Sequence, residues 1–95
     1  MGQRKYPPLS TDQVIRILIA LGFVEIKKRG KGDHRFFILE RNGQTYIPQV
    51  DNGCPEYSDD ILKLLIDETG FTRKQFYGAT RSSAKKINLR YIPER

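Results

Sequence analysis

The fold is organised around residues 27–37, KKRGKGDHRFF. This stretch holds five of the 17 lysines and arginines, two of the glycines and the only histidine, His34. Because glycine carries no Cβ, Gly30 and Gly32 allow a tight turn whose backbone N–H groups can approach an anion. The apolar residues after the turn predict a strand. The sequence therefore predicts an imidazole at the first position of a strand, beside a cationic turn.

A strand is predicted on each side of this turn, which occupies residues 30–33. Residues 23–28 alternate, with Val24 and Ile26 on one side and polar residues on the other, which indicates a strand buried on one face. Residues 34–40 are apolar on both faces over their middle, which is typical of a central strand. The two strands are expected to pair antiparallel.

A third strand follows a second turn. Asn42-Gly43 between two strand-like runs is a strong short-range signal for a hairpin. Residues 45–47 continue as a strand that Pro48 is expected to end, because proline cannot donate a hydrogen bond to a neighbouring strand. Residues 49–56 are interpreted as a polar loop. The three strands are expected to form one antiparallel sheet.

Three helices are predicted from N-capping residues followed by apolar stripes at helical spacing. They are expected to begin after Ser10, Ser58 and Thr72, and to end at Gly22, Gly70 and Tyr77. Gln13 and Gln75 lie three residues after the first and the third cap, which is the spacing of a capping box.

The order α-β-β-β-α, followed by a short extra helix, predicts an α+β fold. We expect a two-layer sandwich in which two helices cover one face of the sheet and the other face meets water. The length fits one domain with a modest core, at residues 9–77. Residues 1–8 end in two prolines and are expected to form an extended arm. Residues 78–95 are expected to form a basic, mobile tail.

The charge is unevenly distributed along the chain. Residues 1–35 carry eight cations and three anions, residues 36–70 carry two and seven, and residues 71–95 carry seven and one. Two basic segments around an acidic one suggest a polyanionic partner, although such charge also serves solubility. The single cysteine excludes an internal disulfide and favours a reducing compartment. No apolar run approaches the roughly 18 residues of a membrane span, so we expect a cytoplasmic protein without a membrane partner.

Few catalytic chemistries fit these residues. One histidine and one cysteine form no ligand cluster at zinc spacing, so neither a metal nor another cofactor is expected. Nothing in the sequence orients Cys54 against His34 as a nucleophilic pair. His34 remains, either as an ordinary strand-end residue or as a proton-transfer group. RNA supplies its own nucleophile, the 2′-hydroxyl, so one histidine among cations can suffice for its cleavage.

Three runs of the sequence resemble the HicA (YcfA-like) toxins, which are small messenger-RNA-cleaving proteins with a double-stranded-RNA-binding-domain-like fold. The runs are KGDHRFF at residues 31–37, RNGQTYIP at 41–48 and DDILKLLIDETGFTRKQF at 59–76. The resemblance covers residues 9–77. It implies a metal-independent endoribonuclease whose essential histidine aligns with His34, with Gly32 shaping the turn before it. It also implies messenger RNA as substrate and a HicB-type antitoxin protein that covers the site.

The predicted RNA-binding residues flank this histidine in the sequence. They are Lys27, Lys28, Arg29, Lys31, Gly32 and Arg35. In a ribonuclease their cations would neutralise the charge that builds on the phosphate oxygens.

Two features of the sequence depart from the family pattern. Asp33 stands where a serine or threonine usually precedes the histidine, and a carboxylate there would repel phosphate or orient the imidazole. Residues 49–51 stand where many members carry a second histidine.

Two other interpretations of the function stay open. One is a non-catalytic RNA-binding module on the same fold, in which His34 is merely a contact. The other is a protein-interaction domain that docks an acidic partner.

Overall fold

The computed structural model describes residues 7–26, 34–51 and 56–86. These residues form an α+β fold of antiparallel sheets and helices, the class predicted from the sequence. The elements are β1 (Leu9–Ser10), α1 (Thr11–Ala20), β2 (Val24–Ile26), β3 (His34–Arg41), β4 (Gln44–Tyr46), β5 (Gln49–Asp51), β6 (Glu56–Tyr57), α2 (Asp59–Thr69), α3 (Arg73–Tyr77) and α4 (Arg81–Lys86). Within the described ranges, no helix is long and apolar enough to cross a membrane.

β3 is the central strand of the main sheet. β2 pairs antiparallel with one edge of β3. β4 and β5 both pair antiparallel with the other edge, β5 along the first residues of β3 and β4 along the last. Between β3 and β4, Asn42 and Gly43 have positive φ angles of 52° and 78°. These angles fit the tight hairpin turn that was predicted there, because both central residues of such a turn need positive φ.

Pro48 interrupts the third strand of this sheet without ending it. The amide of Phe37 donates to the carbonyl oxygen of Pro48 at 3.1 Å, and Pro48 has no N–H with which to return the bond. Pairing resumes immediately in β5. The predicted loop at residues 49–56 is therefore wrong at its start. Residues 52–55 lie outside the described residues.

A second, two-stranded sheet connects the segment before α1 to the segment before α2. Leu9 of β1 pairs with Tyr57 of β6, and both side chains are buried. Nearby, the hydroxyl of Tyr77 donates to the carbonyl oxygen of Pro7. The sequence did not predict these strands, because two residues are too few to show an alternation. Residues 1–6, most of the predicted arm, lie outside the described residues.

The helices pack on one face of the main sheet, which we call the helix-side face. Phe37 of β3 and Val50 of β5 lie on this face and are fully buried. Both belong to a single cluster of buried residues that includes Leu18 of α1 and Leu65 of α2. The apolar stripe of α1 therefore faces the core, as expected. The stripe predicted for α2 is only partly buried, because Ile61 and Leu64 are 46% and 67% exposed.

The opposite face of the main sheet, which we call the open face, carries the even-numbered residues of β3. Val24 pairs with Ile38 on this face and is 65% exposed, while Ile26 is only partly buried there. Glu25 instead pairs with Phe37 on the helix-side face. The predicted burial of Val24 and Ile26 is therefore wrong: the register turns the apolar residues of β2 outward.

The capping boxes predicted at two helix starts are confirmed. Ser10 and Gln13 exchange hydrogen bonds at α1, and Thr72 and Gln75 do so at α3. At α2 the N-cap is Ser58, as predicted, but its side chain makes no capping hydrogen bond.

A fourth helix, α4, stands where the sequence predicted a tail without regular structure. Its Ser83 and Ala84 are almost completely buried. The hydroxyl of Ser83 donates to the carbonyl oxygen of Tyr77 at 2.7 Å. The helix was missed because this contact depends on the position of α3 and leaves no periodic apolar pattern. Residues 87–95 of the predicted tail lie outside the described residues.

The end of α2 packs against the β3–β4 hairpin. Gly70, the C-cap of α2, has a φ of 79°. A Cβ atom on Gly70 would lie 2.6 Å from Cε1 of Tyr46. Arg41 reinforces this contact, since its guanidinium lies 4.0 Å from the centre of the Phe71 ring and donates to the carbonyl oxygen of Gly70 at 3.4 Å.

We expect Gly70→Ala to lower the free energy of unfolding more than Gly43→Ala does. Both glycines have nearly the same positive φ, which costs an alanine about 1–2 kcal/mol. A Cβ at Gly43 meets nothing within 4 Å, whereas a Cβ at Gly70 collides with Tyr46. Such overpacking adds about 1–3 kcal/mol. Urea denaturation of the two variants measures the difference, and equal losses would contradict the close contact between the hairpin and α2.

We expect Ser83→Ala to lower the free energy of unfolding by about 1–2 kcal/mol, because it leaves the buried carbonyl of Tyr77 without its hydroxyl donor. Ser58→Ala is the matched control, since Ser58 is exposed and makes no capping bond with its side chain. Its effect should stay within about 0.5 kcal/mol. If both variants unfold at the wild-type urea concentration, α4 does not contribute to the core.

Candidate functional site

The predicted catalytic histidine lies at the end of the central strand. His34 is the first residue of β3 and is exposed. Side chains alternate along a strand, and Phe37 fixes which set faces the helices because it is fully buried. His34 therefore belongs to the open face, where solvent and a large substrate can reach it. This is the strand position that the sequence predicted.

Asp51 lies directly opposite His34 in the sheet. The two residues are Cα partners in the antiparallel pairing of β3 with β5. Directly opposite residues of an antiparallel pair project to the same face, so the carboxylate of Asp51 and the imidazole leave the sheet side by side. In the sequence, Asp51 belongs to residues 49–51, which depart from the family pattern. Its place beside His34 depends on β5, which had been interpreted as a loop.

Arg35, a predicted RNA-binding residue, projects from the helix-side face instead. Its Nε and Nη2 atoms donate to the two carboxylate oxygens of Glu25 at 2.9 and 2.8 Å. This hydrogen bonding is the main cause that raises the pKa of the Arg35 guanidinium above its ordinary value. The guanidinium also lies 5.9 Å from the centre of the Phe37 ring. The structure thus pairs the charge of Arg35 with that of Glu25 at a partly exposed position and does not bring it together with His34.

The other predicted RNA-binding residues fall in the connection between β2 and β3. Lys27, Lys28, Arg29, Lys31 and Gly32 lie outside the described residues, as does Asp33. The connection joins Ile26, the last residue of β2, to His34, the first residue of β3. Cys54 likewise lies outside the described residues.

An apolar surface adjoins His34 on the open face. Phe36, two residues along β3, pairs with Ile26 on one side and with Gln49 on the other. Phe36 and Ile26 are each partly exposed. An aromatic ring, an imidazole and a carboxylate therefore share one end of this face, an arrangement that can contact a base and move a proton.

Among the described residues, no group of three or more histidine, cysteine, aspartate or glutamate side chains could hold a metal ion. The titratable side chains that the described part of this site brings together are an imidazole and a carboxylate. Either group can bind or release a proton in water.

The chain was also compared with known proteins. No family model matches the sequence, and the search of curated proteins found no similar chain. The functional interpretation consequently depends on where the fold places His34 and on the sequence motifs around it.

Proposed function

We propose that this protein is a HicA-like, metal-independent endoribonuclease that cleaves messenger RNA. The observation that carries the proposal is the exposed imidazole of His34 at the start of β3, on the face of the sheet that the helices leave open. The cationic residues 27–31 immediately precede this strand in the sequence. An accessible proton-transfer group beside cations is what cleavage of a phosphodiester by its own 2′-hydroxyl requires.

The order of the larger elements supports a double-stranded-RNA-binding-domain-like arrangement. α1 is followed by β2, β3 and the split strand β4–β5, and then by α2, which gives the order α-β-β-β-α. Burial of Phe37 and Val50 on one face of the sheet fits a two-layer sandwich with helices on that side. The short β1–β6 sheet, α3 and α4 are additions to this arrangement.

In the proposed reaction the imidazole of His34 takes the proton of a 2′-hydroxyl. The 2′-oxygen then forms a bond to the adjacent phosphorus, and the bond from phosphorus to the 5′-oxygen breaks. The departing 5′-oxygen takes up a proton from water, and the imidazolium of His34 releases its proton to the solvent. The products are a 2′,3′-cyclic phosphate and a 5′-hydroxyl. Lys28, Arg29 or Lys31 neutralises charge on the phosphate oxygens, while Arg35 stays paired with Glu25.

The proposal extends to a protein partner, a HicB-type antitoxin that covers the His34 site. The open face supports this extension, because Val24 is 65% exposed on the same face as His34. A protein that covered the face would remove this apolar side chain from water, which is favourable.

We expect purified protein to cleave RNA in the presence of EDTA, and His34→Ala to lower the rate by about 100- to 10,000-fold, the range for a general acid or base. Products should carry 2′,3′-cyclic phosphates, and RNA with a 2′-deoxy sugar at the cut should survive. Thr45→Ala is the matched control, because Thr45 is exposed and pairs with Glu40 on the same face. Gel analysis and mass spectrometry of the products measure both effects.

Two results would overturn this assignment. Cleavage that persists in the His34→Ala protein would come from another residue or from a contaminant. Intact RNA after incubation with the wild-type protein, free of any antitoxin, would favour a non-catalytic RNA-binding module.

RNA affinity should fall steeply with salt, because each phosphate contact on a single strand contributes a slope of about −0.7 in a plot of log K against log salt concentration. Lys31→Gln should remove one phosphate contact and so make the slope less steep by about 0.7. Arg35→Gln removes the same charge and should leave the slope unchanged, since Glu25 already pairs with Arg35. Fluorescence anisotropy at several salt concentrations measures all three slopes. Equal slopes for the two variants would mean that residues 27–31 do not hold the phosphates.

A further inference from the structure

We infer that Asp51 is a positioning residue for His34: its carboxylate accepts a hydrogen bond from one imidazole N–H and turns the other ring nitrogen toward the substrate. The inference deepens the proposed function and rests on it for its catalytic consequence. It starts from the pairing of His34 with Asp51 across β3 and β5.

The hydrogen bonds of β3 show what kind of pair this is. In an antiparallel ladder, hydrogen-bonded pairs alternate with non-hydrogen-bonded pairs. Phe37 donates to Pro48, so these two residues form a hydrogen-bonded pair. Counting outward, the next pair of this kind is Arg35 with Val50. His34 with Asp51 is therefore a non-hydrogen-bonded pair.

The amide N–H groups of Gln49 and Asp51 agree with this assignment. Both donate to groups outside β3, as residues of non-hydrogen-bonded pairs must. The amide of Gln49 donates to Oε1 of Glu68 at 3.3 Å, and the amide of Asp51 donates to the hydroxyl of Tyr57 at 2.7 Å. In a non-hydrogen-bonded pair the Cα atoms lie only about 4.5 Å apart and the side chains are at their closest. This spacing places the two side chains next to each other on the open face. In the structure no hydrogen bond joins them, so the proposed bond forms when the exposed imidazole turns toward the carboxylate.

Asp51 is also held firmly enough to orient another group. Its backbone is bound to Tyr57, which is 3% exposed and pairs with Leu9 in the β1–β6 sheet. His34 in turn begins the strand that the main sheet is built around. Both partners therefore stand on paired strands, which hold side chains more accurately than loops do.

The other charged groups of the main sheet do not compete for this role. Glu25 and Arg35 pair with each other on the helix-side face. On the open face, the described residues of the sheet include one more carboxylate, Glu40, six positions further along β3. At about 3.3 Å per residue, Glu40 lies some 20 Å from His34. Asp51 is the acidic side chain that the described sheet places beside the imidazole.

This pair has a defined chemical effect. A neutral imidazole has one N–H donor and one acceptor nitrogen, and a carboxylate that binds the N–H fixes which nitrogen is the acceptor. The acceptor nitrogen then takes the proton from the 2′-hydroxyl. The imidazolium that forms is stabilised by the adjacent carboxylate, which stays ionised and receives no proton, as in other carboxylate–histidine pairs.

The test compares Asp51→Asn with Glu40→Gln. Each variant removes one carboxylate from the open face without a large change in size. We expect Asp51→Asn to lower kcat by about 10- to 100-fold, as does the loss of a group that orients a metal-binding histidine, with KM nearly unchanged. Asp51→Glu should recover part of kcat, and Glu40→Gln should behave like the wild-type protein. A wild-type kcat for Asp51→Asn would overturn the inference.

A second measurement does not need RNA. The chain has a single histidine, so the imidazole ¹⁵N spectrum contains the signals of His34 alone. At about pH 8, where an imidazole is ordinarily neutral, the wild-type tautomer populations should differ from those of a histidine in an unstructured peptide, and Asp51→Asn should return them toward the peptide values. Wild-type populations equal to those of the peptide would overturn the inference even if the Asp51→Asn protein failed to fold.

The two readouts separate this inference from the proposed function. If His34→Ala abolishes cleavage while Asp51→Asn leaves both kcat and spectrum unchanged, the ribonuclease stands and the positioning role falls. If Asp51→Asn shifts the tautomers but the wild-type protein leaves RNA intact, the hydrogen-bonded pair stands and the proposed catalytic function falls.

Discussion

The structure depends on which of the two alternating sets of side chains on β3 faces the helices. Phe37 inserts into the core, and this contact fixes the orientation of every other residue of the strand. His34, three positions away, is then directed to the open face. A shift of one residue in the register would exchange the two sets, exposing Phe37 and turning His34 toward the helices. The burial of one aromatic ring therefore specifies the accessibility of the imidazole.

Pro48 has a comparable influence on the other edge of β3. It removes one hydrogen bond from the ladder, yet its carbonyl still accepts from Phe37 and keeps the register. β5 can therefore continue on the same edge, and Asp51 arrives opposite His34. Had the chain left the sheet at Pro48, the open face would lack a carboxylate at this end. Pro48 thus weakens the strand pairing at one position, yet the position of Asp51 next to the imidazole stays well defined.

Local signals predicted the features that local interactions form. The Asn42-Gly43 turn and the capping boxes at Ser10 and Thr72 depend on residues within a few positions of one another, and all three are present. The strand position of His34 was likewise predicted from the apolar residues after it. The outward orientation of Val24 was not, because it depends on the register with β3 rather than on the pattern of β2. Similarly, no local pattern shows that Arg35 binds Glu25, or that residues 49–51 form a strand. These features depend on pairings between distant segments. The position of Asp51 beside His34 depends on such a pairing as well.

The contact between Pro7 and Tyr77 has a consequence for biosynthesis. The two residues are 70 positions apart in the chain. The amino-terminal part of the core therefore forms all of its contacts only after α3 has been synthesised. A ribosome adds roughly 5–20 residues per second, which leaves the early segments without their partners for about 4–14 s. The β1–β6 sheet has the same non-local character, since Leu9 must wait for Tyr57. Contacts between distant segments slow folding as well. The nascent chain therefore completes its core only after α3 has been synthesised.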